Sequence, residues 1–198
     1  MLQTAYGSLT TGVDAQPGDS LLIRGGTSSI GLALAVIAKQ RGITVLSTTR
    51  DPAKAGVLTA AGVDNVIVDN GTVAAAVRRI LPKGVSGAVE LVGTPTLRDT
   101  LRATAVHGTV CFTGMLSDQW TVPEFYPIDY LPNGVRLTAY SGEASDLPAD
   151  VLQEFLDAVA AGDVTVPIGR VYAFDDIVRA HSDMESRAIS GKLVVTTA

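Results

Sequence analysis

The chain has 198 residues, 46% of them hydrophobic and 5% aromatic, a composition suited to one compact domain around a parallel sheet of Val, Ile, Leu and Ala. Its formal net charge of −5 speaks against a broad nucleic-acid surface, which needs clustered Lys and Arg. Cys111 is the single cysteine, which excludes an intrachain disulfide and a Cys-rich zinc site made by this chain alone. No charged segment followed by an apolar run opens the chain, and no apolar run approaches the ~18 residues of a membrane span, so a cytoplasmic protein without a membrane partner is expected.

In chain order, 21–23 reads as a short buried strand, Gly25 and Gly26 permit a tight turn, and a helix runs over 28–41 until Gly42 stops it. A second, β-branched strand follows at 43–48 and completes a βαβ unit. The alternation continues with a helix at 52–61 closed by Gly62, a strand at 66–68, a helix at 73–81, a strand at 88–92, a helix at 96–104 and a strand at 109–113. Residues 115–133, with Pro123, Pro127, Pro132 and most of the aromatic side chains, read as an irregular loop. A sixth strand at 135–140, a helix at 148–161, an extended segment at 171–174, a helix at 175–184 and a strand at 192–196 finish the chain. Right-handed crossovers fold such a pattern into an α/β, doubly wound, six-stranded and mostly parallel sheet with helices on both faces. Ligand is then expected at the carboxyl edge, where the first and fourth strands diverge.

The segment Leu21-Leu-Ile-Arg-Gly-Gly-Thr-Ser-Ser-Ile-Gly31 carries the chemistry. A strand, a glycine-rich turn and a helix whose first amides have no intrahelical partner make an anion cradle. Against the dinucleotide-binding fingerprint, Gly26, Ser28 and Gly31 occupy the three glycine places, with Ser28 as the departure. Gly26, Thr27, Ser28, Ser29, Ile30 and Gly31 are therefore the candidate pyrophosphate residues. The second strand ends in Ser47-Thr-Thr-Arg50, without the carboxylate that would accept hydrogen bonds from an unmodified ribose. Thr49, Arg50 and Lys54 are the candidates for the adenosine end, where Arg50 can offer a planar fork to a 2′-phosphate. This favours NADP(H). The competing reading leaves Arg50 and Lys54 as solvated charges at a helix start. Leu91, Val92, Gly93, Thr113, Gly114 and Met115, at the ends of the fourth and fifth strands, are candidates for the nicotinamide half or are turns that merely lack bulk. Met115, Trp120, Phe125 and Tyr126 either line one wall of a substrate pocket or pack on their own domain. His107 and His181 have no Ser, Cys or Asp partner at a recognisable spacing and read as surface or capping histidines. Cys111 reads as a small buried hydrophobe, and no residue is identified as catalytic.

The runs Thr4-Ala-Tyr-Gly-Ser-Leu9, Gln16-Pro-Gly-Asp19 and Arg24 to Leu32, followed by Ala61-Gly-Val-Asp64, Glu90-Leu-Val-Gly93, Gly108-Thr-Val110, Ala180-His181 and Gly191-Lys-Leu-Val-Val195, resemble the medium-chain dehydrogenase/reductase superfamily. The likeness is to its zinc-independent, quinone oxidoreductase-like branch and covers essentially the whole chain. It implies a Rossmann cofactor domain and a GroES-like catalytic barrel that is absent from these residues. It also implies hydride transfer from NADPH to a small-molecule substrate such as a quinone, an enone or an enoyl thioester. By the same resemblance, Lys54 and Arg187 match positions that bind the 2′-phosphate, and Asp69 stands where a tyrosine is common. That departure, with Asp51 nearby, bears on the preference for NADPH. The strand at 135–140 is implied as a homodimer edge. Short-chain reductases have a similar phosphate loop, but their catalytic Tyr and Lys four apart are missing: Tyr126, Tyr130, Tyr140 and Tyr172 are followed at that spacing by Tyr130, Gly134, Ala144 and Asp176. The alternative is a non-catalytic module that binds NADP(H) or a protein partner.

Overall fold

The computed structural model describes residues 1–186, 189 and 191–197. The chain opens with α1 (Leu2–Gly7), which runs into a wide π-type turn over Ser8–Gly12. A regular alternation follows: β1 (Ser20–Arg24), α2 (Ser29–Gln40), β2 (Thr44–Thr49), α3 (Ala55–Ala60), β3 (Asn65–Val68), α4 (Val73–Ile80), β4 (Val85–Glu90), α5 (Thr94–Ala103) and β5 (Thr104–Phe112). Six strands, with β6 (Arg136–Ala139) at the edge, form one sheet in the order β3-β2-β1-β4-β5-β6, and every neighbouring pair is parallel. The expected doubly wound architecture is what is found, with the topological switch between β1 and β4.

Strands buried on both faces explain why the sequence reads as apolar runs. Leu21 and Ile23 point to the layer of α1 and α2, where they meet Leu9, Leu32, Ala35 and Val89. Leu22 points the other way, into a second core with Leu46, Ile67, Val77, Ala88 and Leu101 under α4 and α5. Arg24 lies on that second face by alternation, at the carboxyl end of the strand, and is fully buried.

Three boundaries differ from the sequence pattern for identifiable reasons. The fourth strand ends at Glu90, two residues before the expected end, because the Glu90 carboxylate accepts the amides of Val92 and Gly93 and turns the chain off the ladder. β5 begins five residues earlier than expected, through an irregularity opposite Val85 and Gly87 that holds His107 at φ +70°. The 115–133 loop contains one short helix, α6 (Pro127–Tyr130). Beyond β6, α7 (Ala149–Ala161) leads to β7 (Ile168–Ala173), α8 (Ile177–Glu185) and β8 (Lys192–Thr196). β7 and β8 pair with each other in a separate parallel two-stranded sheet. This unit leaves Leu156, Val171, Phe174 and Val178 exposed, Val178 at 79%.

Candidate functional site

The phosphate loop is built by close approach. Gly26 donates its amide to the Thr48 carbonyl at 3.0 Å, and Gly25 donates to the Thr48 hydroxyl at 3.0 Å. A methyl group on Gly31 would lie 2.6–2.8 Å from the backbone of Gly25 and Gly26, and one on Gly26 would lie 1.8 Å from Ser47 Oγ. Only glycine lets α2 start this near the turn. Ser28 is the N-cap of α2: its φ is −71°, and its hydroxyl accepts the Gly31 amide at 3.1 Å. The serine thus keeps a negative φ and turns its hydroxyl into the helix. Ser29 and Ile30 occupy the first turn, where amides have no intrahelical acceptor.

Along the edge, Thr49 is buried at the end of β2, and its hydroxyl accepts the Asp51 amide at 3.2 Å. Arg50 is exposed, and Lys54 ends a 3-10 turn (Pro52–Lys54) that leads into α3. The two carboxylates near this corner both have partners within the chain. Asp51 Oδ1 caps the 3-10 turn by accepting the Ala53 amide at 3.0 Å. Asp69 is clamped by Arg24, whose Nε and Nη2 each donate to it at 2.9 Å.

Across the switch, the 91–93 and 113–117 segments run together. Thr113 and Gly114 donate to the Glu90 carbonyl, Leu116 to Leu91, and Ser117 to Val92, at 2.8–3.1 Å. The space above Gly25 is bounded at 3.2–3.3 Å by the side chains of Leu91, Val92 and Leu116. The structure therefore brings Gly26, Thr27, Ser28, Ser29, Ile30 and Gly31 to one carboxyl edge with Leu91, Val92, Gly93, Thr113, Gly114 and Met115. Thr49, Arg50 and Lys54 flank the other end. Arg187 lies outside the described residues.

A hollow of about 340 Å³ opens beside Thr113 and Met115, walled also by Thr4, Tyr140 and Ser141. Tyr140 accepts the Gln3 amide at 2.7 Å and donates to Asp146 at 3.1 Å, and burial together with the Asp146 charge pushes its hydroxyl pKa up. Trp120 is 66% exposed and lines a neighbouring hollow of about 350 Å³ with Leu97, Phe112 and Leu137, whereas Phe125 stacks edge-on with Tyr130. Cys111 is fully buried and its thiol is pushed up by that burial, as befits a packed hydrophobe. No group of three or more His, Cys, Asp or Glu among the described residues is placed to hold a metal ion.

Sequence reasoning missed Thr4 and Tyr140 as site residues, and it noted Asp69 without its partner Arg24. Thr4 and Tyr140 meet Met115 only through the fold, although Thr4 sits in a recognisable motif. The Arg24 cluster left one signal, a cation ending an otherwise apolar strand. Arg24 also donates from Nη1 to Asp99 at 2.7 Å and to the Thr100 hydroxyl at 3.2 Å. Thr100 in turn donates to Glu90 at 2.5 Å. Burial pushes the Glu90 carboxyl up, against the opposing pull of the Thr100, Gly93 and Val92 bonds and the Arg24 charge.

A parallel sheet in this order, with a glycine cradle at its switch point, defines a dinucleotide-binding α/β domain. The chain belongs to the zinc-binding dehydrogenase family, which it matches over residues 61–195, within the medium-chain dehydrogenase/reductase superfamily. No curated protein matches the chain. Among solved structures it is similar to AibC, with 29% identity and a TM-score of 0.84 over 99% of this chain and 54% of that one. The mycobacterial protein Rv1454c, complexed with NADPH, is 28% identical with a TM-score of 0.82 over 98% of this chain and 61% of that one. A mycobacterial quinone oxidoreductase is 29% identical with a TM-score of 0.81, again over 98% and 61%. The chain thus spans little more than half the length of these relatives. No helix among the described residues is long and apolar enough to cross a membrane.

Proposed function

We propose that the chain is the cofactor-binding part of a cytoplasmic, NADPH-dependent oxidoreductase that delivers hydride to a quinone, an enone or an enoyl thioester. The observation that carries this reading is the adenosine end of the edge. It offers Arg50 and Lys54, has no acid at the end of β2, and keeps both nearby carboxylates occupied by other partners. The turn from Gly26 to Gly31 fits a pyrophosphate, because the close packing that a Cβ at either place would break sets the unpaired first amides of α2 beside the turn. The similar protein that was solved with NADPH, and the one described as a quinone oxidoreductase, support the same cofactor and substrate classes.

In this reading the amides of Ser29 and Ile30 bind the pyrophosphate, and Arg50, Lys54 and Arg187 hold the 2′-phosphate. Leu91, Val92, Gly93, Thr113, Gly114 and Met115 orient the nicotinamide ring. When bound, the cofactor supplies the hydride, and the chain's own part is to place the ring and exclude water beside the hollow at Thr113. In this reading the substrate pocket lies between this chain and a GroES-like domain outside these residues. The exposed apolar side chains of α7, β7 and α8 are the surface that such a domain would cover. The phosphate loop, like that of quinone oxidoreductases, favours hydride transfer without zinc. The free outer edge of β6 is the proposed homodimer contact.

The test is a turnover assay on the chain joined to its barrel domain, following NADPH absorbance with a quinone, an enone and an enoyl thioester in turn. Oxidation of NADPH by at least one of them, lost in the isolated chain, is the expected result. Cofactor binding without turnover on any of them would favour the non-catalytic module instead.

A further inference from the structure

Asp69 is the residue at odds with a phosphate pocket. It follows β3 directly, and its amide donates to the Thr49 carbonyl at 2.8 Å, so it stands beside the corner formed by Thr49 and Arg50. An unpaired carboxylate there would repel a 2′-phosphate and welcome ribose hydroxyls.

Arg24 prevents this. Its guanidinium is fully buried and uses its fork on one side for both Asp69 oxygens, at 2.9 Å each. On the other side Nη1 reaches Asp99 at 2.7 Å, the Thr96 carbonyl at 3.2 Å and the Thr100 hydroxyl at 3.2 Å. Burial disfavours the cation, but the Asp69 hydrogen bonds and the charges of Asp69, Glu90 and Asp99 outweigh it and push the guanidinium pKa up. The two aspartates are not equally dependent on Arg24. Asp99 also accepts the amides of Val73 and Ala74 at the start of α4, whereas Asp69 has the Gly71 amide besides Arg24.

We propose that Arg24 is a specificity-determining positioning residue: it holds the Asp69 carboxylate in a buried bidentate pair, turned from the corner, so that the 2′ substituent of the cofactor meets Arg50 and Lys54 rather than an unpaired acid. A planar, bidentate and permanently charged group suits this task, and a lysine would not replace it. The inference rests on the NADPH reading, and it names the device by which an acid is tolerated beside a phosphate pocket.

The experiment compares the 198-residue chain with Arg24→Met, Asp69→Asn and the double variant, titrating each with NADPH and with NADH and recording its melting curve. The parent's own ratio of NADPH to NADH affinity decides the cofactor reading; the change of that ratio among variants decides the role of Arg24. Arg24→Met should lower the ratio about tenfold, the scale of one unit charge about 12 Å away at an effective dielectric of about 20. The double variant should restore it, because the freed acid is gone. Equal loss of both cofactors in Arg24→Met, or no recovery of the ratio in the double variant, would reduce Arg24 to a structural cross-link. Should Arg24→Met fail to fold, Asp69→Asn still decides: the proposal requires unchanged NADH affinity, and a fall in it would show that Asp69 reads the ribose itself.

Discussion

Gly31→Ala is the most direct perturbation of the phosphate cradle. The added methyl would stand 2.6 Å from the Gly26 carbonyl oxygen, 2.7 Å from Gly26 Cα and 2.8 Å from the Gly25 carbonyl oxygen. Ordinary contacts begin near 3.4 Å, so the loop or the helix must retreat by 0.6–0.8 Å, and all three obstacles are backbone that no rotamer change can move. Overpacking of this kind costs about 1–3 kcal/mol. At about 2–4 °C per kcal/mol for a domain of this size, the melting temperature should drop by roughly 2–12 °C. The same retreat separates the Gly26 turn from the first amides of α2. NADPH and NADH share the pyrophosphate, so both should weaken by the same factor. Gly56→Ala is the matching control. Gly56 is exposed in α3 with nothing within 4 Å of the new methyl, so a gain of about 0.5–1 kcal/mol and unchanged cofactor binding are expected. Calorimetric titration with both cofactors, alongside thermal melting of both variants, provides the readout. A Gly31→Ala chain that melts and binds like its parent would refute the argument from close approach.

Lys54→Ala should weaken NADPH binding by about 1.5–3 kcal/mol, the range for a charge-assisted hydrogen bond, while sparing NADH; equal loss in the two titrations would remove Lys54 from the phosphate pocket. Thr100→Val leaves the buried Glu90 carboxylate without its shortest donor and should cost about 1–3 kcal/mol in urea unfolding, with Thr100→Ser recovering most of it. Asp64 accepts from Lys39 at 2.7 Å and from the Val45 amide at 2.7 Å; burial opposes its charge, but these partners outweigh it and hold the carboxyl below its ordinary value of 3.8. A folded-state value below the unfolded one contributes stability above pH 3.8 that is lost as the pH falls through the depressed value. Asp64→Asn should accordingly be less stable than the parent by about 1 kcal/mol at neutral pH, since the pair is partly exposed, and the gap should close in acid; a gap that persists in acid would show that charge is not its source.

The parts of this fold that could be read from the sequence are those set by local physics. Strands covered on both faces must be apolar runs, as Leu21, Leu22 and Ile23 are, and a parallel neighbour requires a helix between, so the order of elements followed from spacing alone. The glycine cradle was visible for the same reason: Gly26 and Gly31 are needed by a turn and a helix only five residues apart. What remained hidden depends on residues distant in sequence. Arg24 meets Asp69 and Asp99 across separations of 45 and 75 residues, and no window along the chain reveals that a strand-end arginine has two aspartates waiting for it. The end of β4 is set by a side chain, Glu90, that captures the next two amides, so an apolar pattern running on through Leu91 and Val92 overstated the strand. Thr4 and Tyr140 share a hollow although 136 positions separate them, because α1 and the end of β6 converge on Met115. The pairing of β7 with β8 is likewise a product of the α8 crossover rather than of either short run.

In the proposed function the carboxyl edge of this sheet holds a nicotinamide dinucleotide by its pyrophosphate and distinguishes it by its 2′-phosphate. Titration of the 198-residue chain with NADPH and, separately, with NADH, by calorimetry or nicotinamide fluorescence, tests both halves at once. Saturable binding of NADPH with markedly weaker binding of NADH is expected. Equal affinity for the two would contradict the phosphate corner at Arg50 and Lys54, and binding of neither would contradict the dinucleotide site itself.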